Sequence, residues 1–140
     1  DRLKMVEAAI EGIEQFSLLD YELNRPPPSY TIDTVRFLQN PESELHLILG
    51  QDSLAHLSKW KEIDQLLRMA PPFTGSRVGE LPVLPPAFIP IIEAGLVTIP
   101  LMQISSTEIR ARLRQGLFCG HLLPAQVLKF INQKKLYNAT

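Results

Sequence analysis

The spacing of apolar positions changes repeatedly along this chain, and each change marks an expected element. Leu3, Met5, Val6, Ala9, Ile10 and Ile13 recur at helical intervals, which predicts a helix over Asp1 to Glu14, with Gly12 weakening its last turn. Phe16 to Leu23, with Leu18, Leu19, Tyr21 and Leu23, suits a strand. Arg25-Pro26-Pro27-Pro28 reads as a loop, because a proline run can neither donate to a ladder nor continue a helix. A second helix is expected from Thr31. Thr31 would cap it, Asp33 lies in its first turn, Val35, Phe37 and Leu38 give it an apolar surface, and Asn40-Pro41 stops it.

Leu45 to Gly50 is apolar almost throughout, as a strand buried in a parallel sheet is. Asp52 follows at once and is placed to cap the helix or helices running to Arg68, whose buried side is Leu54, Leu57, Ile63, Leu66 and Leu67. Met69 to Ser76 reads as a further strand, although Pro71 and Pro72 argue against its centre. Gly79 to Pro90 holds four prolines and reads as an irregular loop. Leu96 to Ile99 forms a short strand. Helices are expected over Ser105 to Gln115 and from Pro124, at a first helical position, to about Lys134. Strands alternating with helices give an α/β fold class with a mainly parallel sheet.

A length of 140 residues suits one domain spanning 1–140, and 45% hydrophobic with 21% charged residues is a globular balance. The net charge of −1 offers no electrostatic footprint for nucleic acid. Cys119 stands alone, so no internal disulfide and no cysteine-based zinc site is expected, and a reduced, cytoplasmic setting follows. No apolar run nears the roughly 20 residues of a membrane helix. No pattern specifies an oligomer. The chain opens in mid-helix at Asp1, so further residues are expected upstream.

Four segments can carry chemistry. In Ile104-Ser105-Ser106-Thr107-Glu108-Ile109-Arg110, Ser105 and Glu108 have capping-box spacing. Backbone amides at such a helix start suit a phosphate, and Arg110 one turn on can fork onto the same anion. The plainer alternative is a capped helix with a solvated arginine. Leu49-Gly50-Gln51-Asp52 ends a strand, on the edge where open parallel sheets bind ligands. Gly50 lets a ligand approach, and Asp52 either accepts from ribose hydroxyls or merely caps a helix. Trp60, the sole tryptophan, is either a core anchor or an aromatic wall for a planar ligand. Ser29-Tyr30-Thr31 begins a helix whose amides either hold a carboxylate or are simply capped. His46 reads as structural, no histidine sits in an HxGH or HExxH pattern, and Cys119 has no evident base.

Several of these segments, taken together, resemble one family. Asp1-Arg2-Leu3-Lys4-Met5, Glu22-Leu23-Asn24-Arg25, Ser29-Tyr30-Thr31-Ile32-Asp33-Thr34, Leu49-Gly50-Gln51-Asp52-Ser53-Leu54, Leu57 with Trp60, Ile104 to Arg110, and Leu123-Pro124 with Leu136-Tyr137 follow the order found in bacterial nicotinate-nucleotide adenylyltransferases of the nucleotidyltransferase superfamily. The likeness covers nearly the whole chain. It implies a Rossmann-like fold and adenylyl transfer from ATP, with Mg²⁺, to nicotinate mononucleotide, giving nicotinate adenine dinucleotide and pyrophosphate. It implies that Tyr30 and Thr31 receive the nicotinate carboxylate, that Trp60 stacks on the pyridine ring, and that Arg77 meets a substrate phosphate. It also implies that Gly50 and Asp52 contact the adenosine portion, and that Ile104, Ser105, Ser106 and Arg110 form the ATP side.

Two departures stand out. Val78 follows Arg77 where the family has proline. The family's N-terminal strand, its Gly-rich turn ending in HxGH, and a loop lysine are expected upstream of Asp1 with the catalytic groups, making 1–140 an N-terminally incomplete domain that is nearly inactive by itself. Other readings are a pantetheine-phosphate adenylyltransferase, which the SYT-x-DT stretch and Trp60 disfavour, and a non-catalytic nucleotide-binding module.

Overall fold

A computed structural model describes residues 1–76, 82–100 and 104–137. The chain divides into two compact units, one of residues 1–20 and 102–140 and one of residues 21–101.

The second unit carries the sheet. Its elements are helix α2 (Thr31–Leu38), strand β1 (Leu47–Gly50), helix α3 (Gln51–Leu54), helix α4 (Ile63–Met69), strand β2 (Pro72–Ser76), helix α5 (Ile89–Ala94) and strand β3 (Leu96–Thr98). The strands pair in the order β1-β2-β3, and both pairings are parallel, with Leu49 opposite Thr74 and Gly75 opposite Val97. This is the α/β parallel architecture expected from the alternation. Pro72 is tolerated in the central strand because it is the strand's first residue, where a missing donor costs least. Gly95 is required where α5 turns into β3, since a Cβ there would lie 1.9 Å from the Pro72 carbonyl oxygen.

One apolar cluster holds this unit together: Ile32 and Val35 from α2, Leu49 from β1, Leu54 and Leu57, then Ile63, Leu66 and Leu67 from α4, with Phe88 and Ile92 at α5. Leu57 and Leu66 are fully buried. β1 departs from the expectation of a strand buried throughout: Leu49 is in the cluster, whereas Ile48 is 87% exposed. Successive side chains point to opposite faces of a strand, and the cluster gathers on the Leu49 face alone.

Three further expectations are corrected in this unit. Phe16 to Leu23 forms no strand. A 3₁₀ turn spans Tyr21–Asn24 instead, where Tyr21 stacks on Phe37 at 4.0 Å and the Thr34 hydroxyl donates to Glu22. Those contacts hold the Tyr21–Asn24 turn against α2. Thr31 is the first residue inside α2 rather than its cap; Tyr30 occupies that position in extended conformation. The loop expected up to Pro90 ends earlier, at α5, because proline is compatible with a helix's first turn, where its missing N–H would be unsatisfied anyway.

The first unit is helical: α1 (Arg2–Ile10), α6 (Ser106–Arg114) and α7 (Ala125–Lys134). Its core is Ile109, Leu113, Cys119, Val127 and Ile131, with Met5, Ala8 and Ala9 of α1 packed against it. The helix expected to Glu14 stops at Ile10, and the chain reverses through Gly12 at φ +79°. Pro124 is the N-cap of α7 rather than its first helical residue. Among the described residues no helix is long and apolar enough to cross a membrane.

Candidate functional site

The proline run delivers the chain to α2 in extended conformation, and Tyr30 keeps it as N-cap (φ −120°, ψ 135°). No side chain caps α2, so amides of its first turn remain available at a helix end that carries partial positive charge. Ile32, buried at 1% exposure, fixes this end to the core. A second segment approaches it. Leu57–Lys59 forms a 3₁₀ turn, and the Trp60 amide closes it on the Leu57 carbonyl at 3.0 Å. Two residues later Glu62 adopts a left-handed conformation (φ 52°) and opens α4.

These segments enclose a cavity of about 270 Å³ lined by Ser29, Tyr30, Thr31, Ile32, Lys59, Trp60, Lys61 and Leu66. The structure therefore brings together Tyr30, Thr31 and Trp60. Trp60 is half-buried, packs against the main apolar cluster and lines the cavity. The core-anchor reading of Trp60 and a cavity-facing position hold together: one part of the indole meets the core while the rest borders open space.

Charged groups surround the cavity in a defined arrangement. The Lys61 ammonium lies 4.4 Å from the centre of the Tyr30 ring and 3.9 Å from the Asp33 carboxylate. Asp33 also faces Arg25 at 3.9 Å and Arg36 at 3.6 Å. Arg36 donates to both carboxylate oxygens of Glu62 and to the Gln65 side chain. The hydrogen bond from Arg36 holds the Glu62 carboxyl below its ordinary value, and the bond to Glu62 raises the Arg36 guanidinium. This bridge ties α2 to the start of α4, the two elements that bound the cavity.

At the end of β1, Gly50 caps α3 and Asp52 sits exposed in that helix's first turn. The expectation that Asp52 caps the helix is corrected: Gly50 holds the cap position, and no side chain caps α3. A Cβ on Gly50 would meet nothing within 4 Å, so the backbone there is open to approach.

The first unit carries the other candidate group. Ser105 caps α6, its hydroxyl accepting from the Glu108 amide at 3.1 Å, which is the serine half of the expected capping box. Arg110 leans back along the helix and donates to the Thr107 hydroxyl at 3.4 Å. Ser106 and Arg110 line a cavity of about 630 Å³ together with Arg2 and apolar side chains such as Met5, Val6 and Val127. Ile104 precedes the cap and is exposed. Arg77 lies outside the described residues.

Sequence reasoning singled out neither Lys59, Lys61 nor Arg2 as a site residue. The two lysines flank Trp60 in a polar stretch; only the fold shows that both border its cavity. Cys119 is buried and its thiol donates to the Leu117 carbonyl, in keeping with a structural role. His46 contacts the Pro71 carbonyl and stacks on Phe73, and His121 stacks on Phe118. Among the described residues no group of three or more His, Cys, Asp or Glu side chains could hold a metal ion.

The chain is similar to known proteins along most of its length. Residues 1–112 match the family model described as cytidylyltransferase-like. A probable nicotinate-nucleotide adenylyltransferase of Salinibacter ruber is 36% identical, aligned over 99% of this chain and 72% of its own length. One from Bacillus licheniformis is 35% identical over 97% of this chain and 70% of its own length. One from Streptococcus pneumoniae is 40% identical over 97% of this chain, which spans 63% of that relative.

Proposed function

This chain belongs to the nicotinate-nucleotide adenylyltransferases of the cytidylyltransferase-like family, and on that premise we propose that it joins ATP to nicotinate mononucleotide. The products are nicotinate adenine dinucleotide and pyrophosphate. The observation that carries the reading is the cavity in which Tyr30, Thr31 and Trp60 converge.

In this reading the cavity takes the mononucleotide. Its size suits a planar ring rather than a whole dinucleotide. The indole of Trp60 stacks on the pyridine ring, and the uncapped amides at the start of α2 receive the carboxylate. ATP falls to the remaining residues. Gly50 offers open backbone and Asp52 an exposed carboxylate to the adenosine portion. Ile104, Ser105, Ser106 and Arg110 meet the phosphates, with helix-end amides and a guanidinium that rests on the Thr107 hydroxyl at the start of α6. Arg77 is assigned to a substrate phosphate. Magnesium arrives as part of the ATP substrate, held by its phosphates and water.

The mononucleotide phosphate attacks the α-phosphorus of ATP. A new bond forms between that oxygen and the α-phosphorus, the bond to the bridging α,β-oxygen breaks, and pyrophosphate leaves with that electron pair. No side chain needs to form a covalent intermediate, so the chain's own work is positioning and neutralising charge. We place the reaction in the cytoplasm, in keeping with a single, unpaired cysteine.

The test is product analysis. The protein in its natural length, given ATP, magnesium and nicotinate mononucleotide, is expected to release one pyrophosphate per dinucleotide formed. Pantetheine phosphate in place of the mononucleotide is expected to give no adenylylated product. The opposite preference would overturn the reading.

A further inference from the structure

The cavity assigned above to the mononucleotide has a property that its aromatic wall does not account for. Two lysines, Lys59 and Lys61, are among its lining residues, and none of those residues is acidic. Lys61 is held by one ring contact and one long ion pair. Its ammonium lies over the Tyr30 ring, a favourable cation–π arrangement, and reaches Asp33 only at 3.9 Å. Asp33 is itself shared with Arg25 and Arg36, so around this corner three cations face two carboxylates, Asp33 and Glu62. The Lys61 side chain stays 42% exposed, so a bound anion can reach its ammonium where it stands. Tyr30, on which it rests, is also the residue whose backbone opens α2.

From this geometry we infer that Lys61 is a specificity-determining residue, favouring a pyridine ring that bears a carboxylate over the same ring bearing a carboxamide. The inference rests on the reading that this cavity binds the mononucleotide. The two rings differ little in shape, so a wall such as Trp60 separates them poorly. They differ by a full negative charge, which an ammonium at the cavity edge detects. Tyr30 and Asp33 pre-position that ammonium, so less ordering is needed when the acid binds.

Trp60 is the only tryptophan in the chain, so its fluorescence reports occupancy of this cavity without any need for turnover. Nicotinate mononucleotide and nicotinamide mononucleotide are each titrated into the natural-length protein, into Lys61→Met and into Lys61→Arg, with no ATP present. Wild type is expected to bind the acid more tightly. Lys61→Met removes the charge and keeps the stem, and is expected to shrink the acid-to-amide ratio about tenfold, chiefly by weakening the acid. Lys61→Arg is expected to restore most of the ratio. A Lys61→Met protein that binds both ligands equally less well, or keeps the wild-type ratio, would overturn the role of Lys61 and leave the cavity assignment standing. Wild type that binds neither ligand at Trp60 would overturn the cavity assignment and the inference together.

Discussion

The cavity at Tyr30 and Trp60 and the start of α6 both present backbone amides at a helix N-terminus, yet they are built in opposite ways. The α6 terminus is local. Ser105, Glu108, Thr107 and Arg110 lie within six residues and organise one another through one cap bond and one side-chain contact. The cavity is assembled from residues 29–32, 59–61 and 66, and α2 has no side-chain cap at all. What holds the cavity in shape is the apolar cluster behind it, through Ile32, Leu57 and Leu66, and the Arg36–Glu62 bridge in front. A local site should answer to substitution of its own cap. An assembled site should answer to substitutions in the core.

The largest difference is therefore expected from the core. Leu57 is fully buried and precedes Trp60 by three residues. Leu57→Ala should cost about 2–5 kcal/mol in chemical denaturation. If it cost no more than a cap substitution, the cavity would not depend on the cluster. The next effect concerns ligands. Arg110→Ala removes a charged donor and should raise the KM for ATP about 10- to 100-fold while leaving that for the mononucleotide nearly unchanged. Equal losses for both would erase the division between the two regions.

Smaller effects sharpen the contrast. Ser105→Ala should lower stability by about 1 kcal/mol, and Ser105→Asp should recover most of that, both read from melting curves. The weakest is a pH effect at the cavity. Glu62 titrates below its ordinary value in the folded state, so its contribution is present above that ordinary value and fades as pH falls toward the lowered one. Acid stability curves of wild type and Glu62→Gln should converge in that window and separate above it. The separation should shrink in high salt, because both partners are exposed.

The same contrast explains what could be read from the chain directly. The α6 cap and the β1 strand are local patterns that the fold keeps. Tyr30, Thr31 and Trp60 stood out as a helix start and a sole tryptophan, each with a plainer alternative, and the resemblance to a family gave them roles; the flanking lysines did not stand out, since nothing in Lys59-Trp60-Lys61 says which way an ammonium will turn. α5 was hidden because Pro90 looks like a stop and is in fact compatible with a first helical turn. The Phe16–Leu23 segment had strand-like composition, but Tyr21 is taken by Phe37 and Glu22 by Thr34, contacts between residues 12 or more apart. Half of β1 is exposed for a reason of the same kind: the sequence shows that Ile48 is apolar, whereas the cluster decides which face is covered.

The central claim is that the cavity walled by Trp60 holds the mononucleotide. The direct measurement is calorimetric titration of nicotinate mononucleotide into wild type and Trp60→Ala, with a melting curve of each. Loss of the stacked ring should weaken binding by about 1–3 kcal/mol while the variant melts cooperatively and ATP affinity is kept. Unchanged mononucleotide affinity in a folded Trp60→Ala protein would contradict the claim, because the ligand would then be bound elsewhere.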